Sequence, residues 1–136
     1  MNDFYTFIIT ACINAPMIDA VNVYETNRRY DDTLKTIESI KLKVPNCRII
    51  LIDNSTLPLT NEQASKLSKD VDVFKQIEPN IFTNFVNSVG SKGLGETYIM
   101  YEAIKIIEEN DLLGKRVFKI TGRYWLADSF DISFYD

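Results

Sequence analysis

Four short polar clusters, far apart in the 136-residue chain, carry the side chains that could act on a ligand: Thr10-Ala11-Cys12-Ile13-Asn14, Asp53-Asn54-Ser55, Lys92-Gly93-Leu94-Gly95-Glu96 and Thr121-Gly122-Arg123-Tyr124. Together they hold the groups that a nucleotide bearing a diphosphate requires. Asp53 can accept hydrogen bonds from a base or a ribose hydroxyl, while Asn14 and Ser55 offer adaptable polar contacts. Lys92, Arg123 and the Arg28-Arg29 pair can neutralise phosphate oxygens, arginine doing so bidentately. Gly93 and Gly95 open a helix, whose uncovered N–H groups and dipole favour an anion. Each residue also has a plain structural reading. Asp53 would cap a turn, Lys92 would be a solvated loop charge, Arg28 and Arg29 would decorate a helix start, and Arg123 would be a surface arginine after an ordinary turn.

The clusters sit where apolar segments end, so the elements decide whether they meet. Phe4 to Ile13 is nearly continuous in apolar and β-branched residues, as in a strand buried on both faces of a parallel sheet. Asn14-Ala15-Pro16 ends it, and Pro16 to Arg29 reads as a long irregular loop. Tyr30, Leu34, Ile37 and Ile40 recur at helical spacing, which predicts a helix over Arg28 to Lys43, and Pro45-Asn46 stops it. Cys47 to Ile52 is a second buried strand that closes on Asp53, completing a right-handed βαβ unit. Thr60 with Gln63 has the form of a capping box for a short helix through Leu67. Val71 to Ile77 alternates like an edge strand, and Glu78 to Ser91 is irregular. The next helix buries Ile99, Ala103, Ile106 and Ile107. Arg116 to Ile120 is a fourth strand, broken at Gly122, where a glycine lets the backbone turn or approach a ligand. Ser129 to Tyr135 alternates again, like a strand lacking its continuation, and this points to a homodimer through the C-terminal segment.

Strands alternating with helices predict an α/β three-layer sandwich with a mainly parallel sheet in the order 3-2-1-4. The connection after strand three then crosses back over strand one. The resulting topological switch point lies between strands one and four, where open α/β sheets bind ligands. All four polar clusters would face that rim.

Composition narrows the functional classes. With 46% hydrophobic and 25% charged residues, the chain reads as one globular domain over 1–136. A net charge of -4 without a basic face argues against nucleic acid as a partner. The absence of histidine leaves Cys12 and Cys47 without the partner that a zinc site or a Cys-His nucleophile needs, so both read as buried, reduced thiols. No stretch has the length of a membrane span and the N-terminus lacks the positive start of a secretory signal, so a cytoplasmic location is expected. Strand one is followed by no glycine-rich turn, which argues against a flavin or nicotinamide dinucleotide.

Three further stretches carry a family resemblance: Ile8 to Asn14, Arg29 with Thr33-Leu34 and Ser39, and Ile50 to Ser55. They resemble the start of nucleotide-diphospho-sugar transferases of the A-type glycosyltransferase fold. Lys92-Gly93-x-Gly95-Glu96 and Phe118 to Tyr124 are similar to a small bacterial and viral branch of that fold. The likeness spans nearly the whole chain but only the donor-binding, Rossmann-like half of such an enzyme, which implies a domain truncated after 126. It implies that Thr10, Ala11, Asn14 and Asp53 line a nucleoside pocket and that Lys92, Gly93 and Glu96 lie near the diphosphate or sugar. Arg29, Asn54, Ser55 and Tyr124 complete the implied substrate-binding set.

The chain departs from the family pattern twice. Where relatives place an Asp-x-Asp motif that holds Mn or Mg, it reads Thr121-Gly122-Arg123. The resemblance therefore implies no certain cofactor, and Arg123, with Lys92 or Lys119, would stabilise the departing nucleoside diphosphate. Strand alternation, however, sets Lys119 against use in the crevice. The usual catalytic base would follow Tyr124, and Asp128 and Asp131 are the carboxylates that could supply it; Arg123 and Asp128 form the expected catalytic pair. The implied function is binding of a nucleotide-diphosphate sugar and transfer of the sugar to an acceptor. The alternative is a non-catalytic nucleotide-binding or protein-interaction module that keeps the fold.

Overall fold

The structure is a computed structural model that describes residues 2–14, 21–55, 58–78 and 92–136, with backbone alone at 21–25, 92 and 93. Strands β1 (Tyr5–Ala11), β2 (Cys47–Asp53), β3 (Val73–Gln76) and β4 (Arg116–Thr121) form one sheet, all parallel, in the order β3-β2-β1-β4. Helices α1 (Val21–Lys43), α2 (Asn61–Lys69) and α3 (Lys92–Glu109) connect them. This is an α/β arrangement of Rossmann-like topology.

β1 is the centre of the sheet, and all seven of its residues are buried. Its alternate side chains serve different layers. Tyr5, Phe7, Ile9 and Ala11 join Ile49 and Leu51 under Ile37 and Ile40 of α1 and Leu67 of α2. Ile8 joins Ile50 and Ile52 under Ile99, Ala103, Ile106 and Ile107 of α3. Among the described residues, α1 and α2 pack on one face and α3 packs on the other. Lys75–Glu102 and Lys119–Glu96 ion pairs, at 3.4 and 3.3 Å, tie α3 to strands on both sides of the sheet. The Thr60–Gln63 capping box is present at α2.

α1 begins at Val21, seven residues before the start expected from apolar periodicity. The stripe facing the core starts at Tyr30, but no glycine or proline interrupts the chain from Val21 to Lys43, so the helix continues in front of its own packing face. The helix takes in residues 21–29 of the expected loop, and its residues 16–20 lie outside those described.

The C-terminal segment is the larger correction. Ser129 to Tyr135 is not a strand; Asp131 caps a 3-10 turn at Ile132–Tyr135. Phe130 and Tyr135 close edge-on over Phe118, which itself stacks on Phe7. Of the apolar residues whose alternation suggests a strand, Phe130 and Ile132 pack on the core and Phe134 is 85% exposed. The Tyr5 hydroxyl donates to Asp136, and the Arg116 side chain donates to the Tyr135 carbonyl at 2.8 Å, so the end of the chain is fastened beside the beginnings of β1 and β4. A partner strand has nothing extended to pair with here.

Between β4 and that turn, the chain runs back along α1 on a row of hydroxyls. Thr33 reaches the Gly122 carbonyl at 3.2 Å, Thr36 the Tyr124 carbonyl at 2.5 Å, and Ser39 accepts the Leu126 N–H at 3.0 Å. Lys43 extends the row to the Asp128 carbonyl at 2.7 Å. Close approach of α1 to this segment explains Gly122: a Cβ there would lie 2.9 Å from Thr33 Oγ1 and 3.4 Å from the Ala11 Cβ. The glycine serves helix packing. Gly114 is tighter still, with 2.2 Å between a built Cβ and the Phe4 carbonyl oxygen. Gly114→Ala is therefore expected to destabilise the fold by about 3 kcal/mol or more, and Gly122→Ala by about 1–2 kcal/mol, because a threonine rotamer yields more readily than backbone. Urea denaturation of the two variants measures the order.

Candidate functional site

β1 runs out at the rim with its last carbonyls taken by both neighbours. The Asn54 N–H donates to the Ala11 carbonyl at 2.7 Å and the Gly122 N–H to the Thr10 carbonyl at 2.8 Å. The Thr10, Asp53 and Thr121 clusters are thus joined through main chain at one end of the sheet.

Asp53 is fully buried. One carboxylate oxygen accepts the Ile13 N–H at 3.1 Å and the other the Ser55 N–H at 3.3 Å, while the Ser55 hydroxyl accepts the Asn14 N–H at 2.8 Å. Asn14 also donates from its side chain to the Pro58 carbonyl at 3.0 Å. The carboxylate therefore staples residues 12–14 to residues 53–55. Burial raises its pKa, and hydrogen bonds from Ser55 and Ile13 offset part of that rise. A side chain so engaged is a positioning residue for the two loops.

Arg29 crosses from α1 to donate to the Cys12 carbonyl at 2.9 Å. The Cys12 thiol reports the electrostatics of the rim: desolvation and then the Asp53 charge push its pKa up, while Arg29 and Arg123 pull it down. Hydrogen bonds place the same groups around residues 10–13: Asp53 accepts from Ile13, Arg29 donates to Cys12, and Gly122, next to Arg123, donates to Thr10. Cys12 itself is exposed, not the buried thiol that composition suggests, because it lies one residue beyond the end of the strand. Arg123 and Tyr124 are exposed. Their turn is closed by the Tyr124 N–H donating to the Thr121 carbonyl at 3.0 Å and is held by Thr33 and Thr36.

Glu96 and Lys119 meet on the opposite face of the sheet, beside the first turns of α3, and the Lys119 ammonium also lies 3.5 Å from the Thr121 hydroxyl. Thr121 is the register partner of Thr10 across β1 and β4. Thr10 is 2% exposed and its hydroxyl has no hydrogen-bond partner. Lys92 and Gly93 form the start of α3, and their side-chain positions are outside the described residues.

Some expected residues stand apart. Arg28 is exposed and pairs with Asp32 at 3.9 Å on its own helix. Asp128 lies beside Lys43 at the far end of α1, ten residues and about 15 Å of helix from Thr33. It is therefore not brought to Arg123, because the hydroxyl row carries the chain away from the rim. Asp131 accepts from Ser133 within the 3-10 turn. The Thr121-Gly122-Arg123 turn offers no carboxylate to a divalent ion, and among the described residues no three His, Cys, Asp or Glu side chains cluster to hold one. Thr36 belongs to the positioning set and is missed by sequence reasoning. Its signal is the three-residue spacing of Thr33, Thr36 and Ser39, hydroxyls recurring along one side of a helix.

No family model, curated protein or solved structure matches this chain.

The raised pKa of Asp53 has a stability consequence. The folded state holds this proton to a higher pH than the unfolded chain, whose value is 3.8. The stability tied to the group is full below pH 3.8 and is lost as pH rises through the raised value. Asp53→Asn has no such titration. The unfolding free energy of the natural chain minus that of the variant is expected to fall from pH 3 to neutrality, as read by urea denaturation at each pH.

Proposed function

We propose that this chain binds a nucleoside-diphosphate sugar at the carboxyl rim of β1 and β4, in the manner of A-type glycosyltransferases, and transfers the sugar to an acceptor. The observation that carries the reading is the convergence of separate segments at the switch point of the sheet: Asp53 holds Ile13 and Ser55, Arg29 donates to the Cys12 carbonyl, and the Gly122 N–H that precedes Arg123 donates to the Thr10 carbonyl. Two guanidinium groups beside main-chain polar groups suit an anion flanked by a polar base or sugar. Arg123 is exposed on a turn anchored to α1, which supports a role in meeting phosphate oxygens. In the transfer step, the anomeric C–O bond to the diphosphate breaks and its electron pair leaves on the diphosphate, while the acceptor hydroxyl oxygen bonds to the anomeric carbon and passes its proton to an oxygen of the departing diphosphate. Arg123 would stabilise the charge that develops on the leaving group, standing where relatives hold a cation. With Asp53 committed to Ile13 and Ser55, recognition of the base falls to the polar groups of residues 12–14 and 53–55 that this carboxylate orders.

A second reading, binding without transfer, is favoured by the distance of Asp128 from the rim. The two separate by product analysis: a transferase releases free nucleoside diphosphate from the bound donor, and a binding module does not.

Calorimetric titration with uridine and guanosine diphosphate sugars, with and without manganese, tests the shared claim. One donor is expected to bind, and Arg123→Ala is expected to weaken it about tenfold or more through loss of a charge-assisted contact. No binding in any combination, or an affinity indifferent to Arg123→Ala, overturns the proposal.

A further inference from the structure

Tyr124 and Trp125 follow Arg123 directly on the segment that leaves β4, and they are 67% and 49% exposed. Both rings stand in water although the backbone beneath them is firmly held. The Tyr124 N–H closes the turn on the Thr121 carbonyl at 3.0 Å, the Thr36 hydroxyl reaches the Tyr124 carbonyl at 2.5 Å, and the Ser39 hydroxyl accepts the Leu126 N–H at 3.0 Å. Trp125 lies between the last two of these clamps. Its ring is met from α1 by the Lys35 ammonium, 5.4 Å from the ring centre. Aromatic side chains with few rotatable bonds on a fixed backbone present contact area that costs little entropy to use, the property of a preorganised binding surface.

The neighbours of the two rings set the chemistry of their occupant. Arg123 and Lys35 are themselves exposed, so the aromatic faces are bordered by charged hydrogen-bond donors. A ligand that suits both is apolar on its flat faces and carries acceptors around its edge. A pyranose whose substituents are equatorial has this form: its axial C–H bonds meet the electron-rich face of an aromatic ring, while its hydroxyls turn outward to ammonium and guanidinium groups. We propose that Tyr124 and Trp125 bind an oligosaccharide of gluco-configured pyranose units, and that this oligosaccharide is the acceptor of the transfer step. The acceptor role rests on the nucleotide-sugar reading; the binding of the oligosaccharide does not. Arg123 and Tyr124 are adjacent in the chain, so a diphosphate held by the first and a pyranose stacked on the second lie side by side, as transfer between them requires.

Trp125 is the only tryptophan of the chain, so its fluorescence reports this surface alone. The test titrates the full chain, without nucleotide, with maltohexaose, cellopentaose and chitopentaose. At least one is expected to change the fluorescence saturably, with a dissociation constant on the order of 1 mM. Tyr124→Ala is expected to weaken that binding about fivefold or more, and Trp125→Ala, followed through broadening of the sugar's own proton resonances, about tenfold or more. Phe134→Ser, which removes an aromatic ring that is 85% exposed in the C-terminal turn, is expected to leave it unchanged. Far-ultraviolet circular dichroism establishes that each variant is folded. No saturable change with any of the three sugars overturns the proposal. So does binding indifferent to Trp125→Ala, or an equal change with uridine alone, which would assign the rings to a nucleobase. A nucleotide sugar that binds by calorimetry while the oligosaccharides fail would remove this surface and leave the donor site standing.

Discussion

The row of hydroxyls on α1 decides more of this structure than its small size suggests. Thr33, Thr36 and Ser39 each take one backbone group from the segment that leaves β4, at steps of three residues on the helix and two on the extended chain. A buried peptide group without a partner costs about 1–3 kcal/mol, so the path of residues 122–126 is strongly specified once these hydroxyls are in place. Two consequences follow from the same contacts. The turn that carries Arg123 is fixed at the rim. The remaining chain is sent back toward the start of the sheet, where Phe130 and Tyr135 cover Phe118. In this way the segment after β4 shields one face of that strand with side chains of its own.

The rim has two sides with different chemistry. On the α1 side, Asp53 spends its charge on ordering loops, and Arg29 gives one donor to the Cys12 carbonyl. On the α3 side, Lys119 and Glu96 neutralise each other near the unpartnered Thr10 hydroxyl. Arg123 is the exposed cation delivered by the turn between them. An electrostatic site assembled this way depends on a guanidinium held by backbone clamps, so alterations in Thr33 or Thr36 would act on it at a distance.

Much of the fold was legible in the sequence. The continuous apolar run of β1 marked a strand buried on both sides, and the inward stripe of α3 read directly from its spacing. The order 3-2-1-4 followed from alternation of strands and helices together with the handedness of crossovers. What misled was periodicity taken without its packing partner. Ser129 to Tyr135 alternates, yet Phe130 and Tyr135 close on Phe118 and residues 132–135 form a 3-10 turn. α1 runs seven residues ahead of its apolar stripe because nothing in those residues breaks a helix. Gly122 signalled a special backbone position, but the crowding neighbour is Thr33, a contact between residues 89 apart in the chain. Asp53 stood out as a carboxylate at a strand end. Its burial against Ile13 and Ser55 depends on long-range pairing of β1 with β2, which no local pattern carries.

Residue-resolved nuclear magnetic resonance, following backbone amides of the full chain during titration with uridine and guanosine diphosphate sugars, addresses the shared rim most directly. A single site there requires that the largest shifts fall together on residues 10–14, Arg29, Asn54, Ser55, Arg123 and Tyr124. Shifts confined to the outer face of α3 or to the C-terminal turn, or none with any donor, would contradict it.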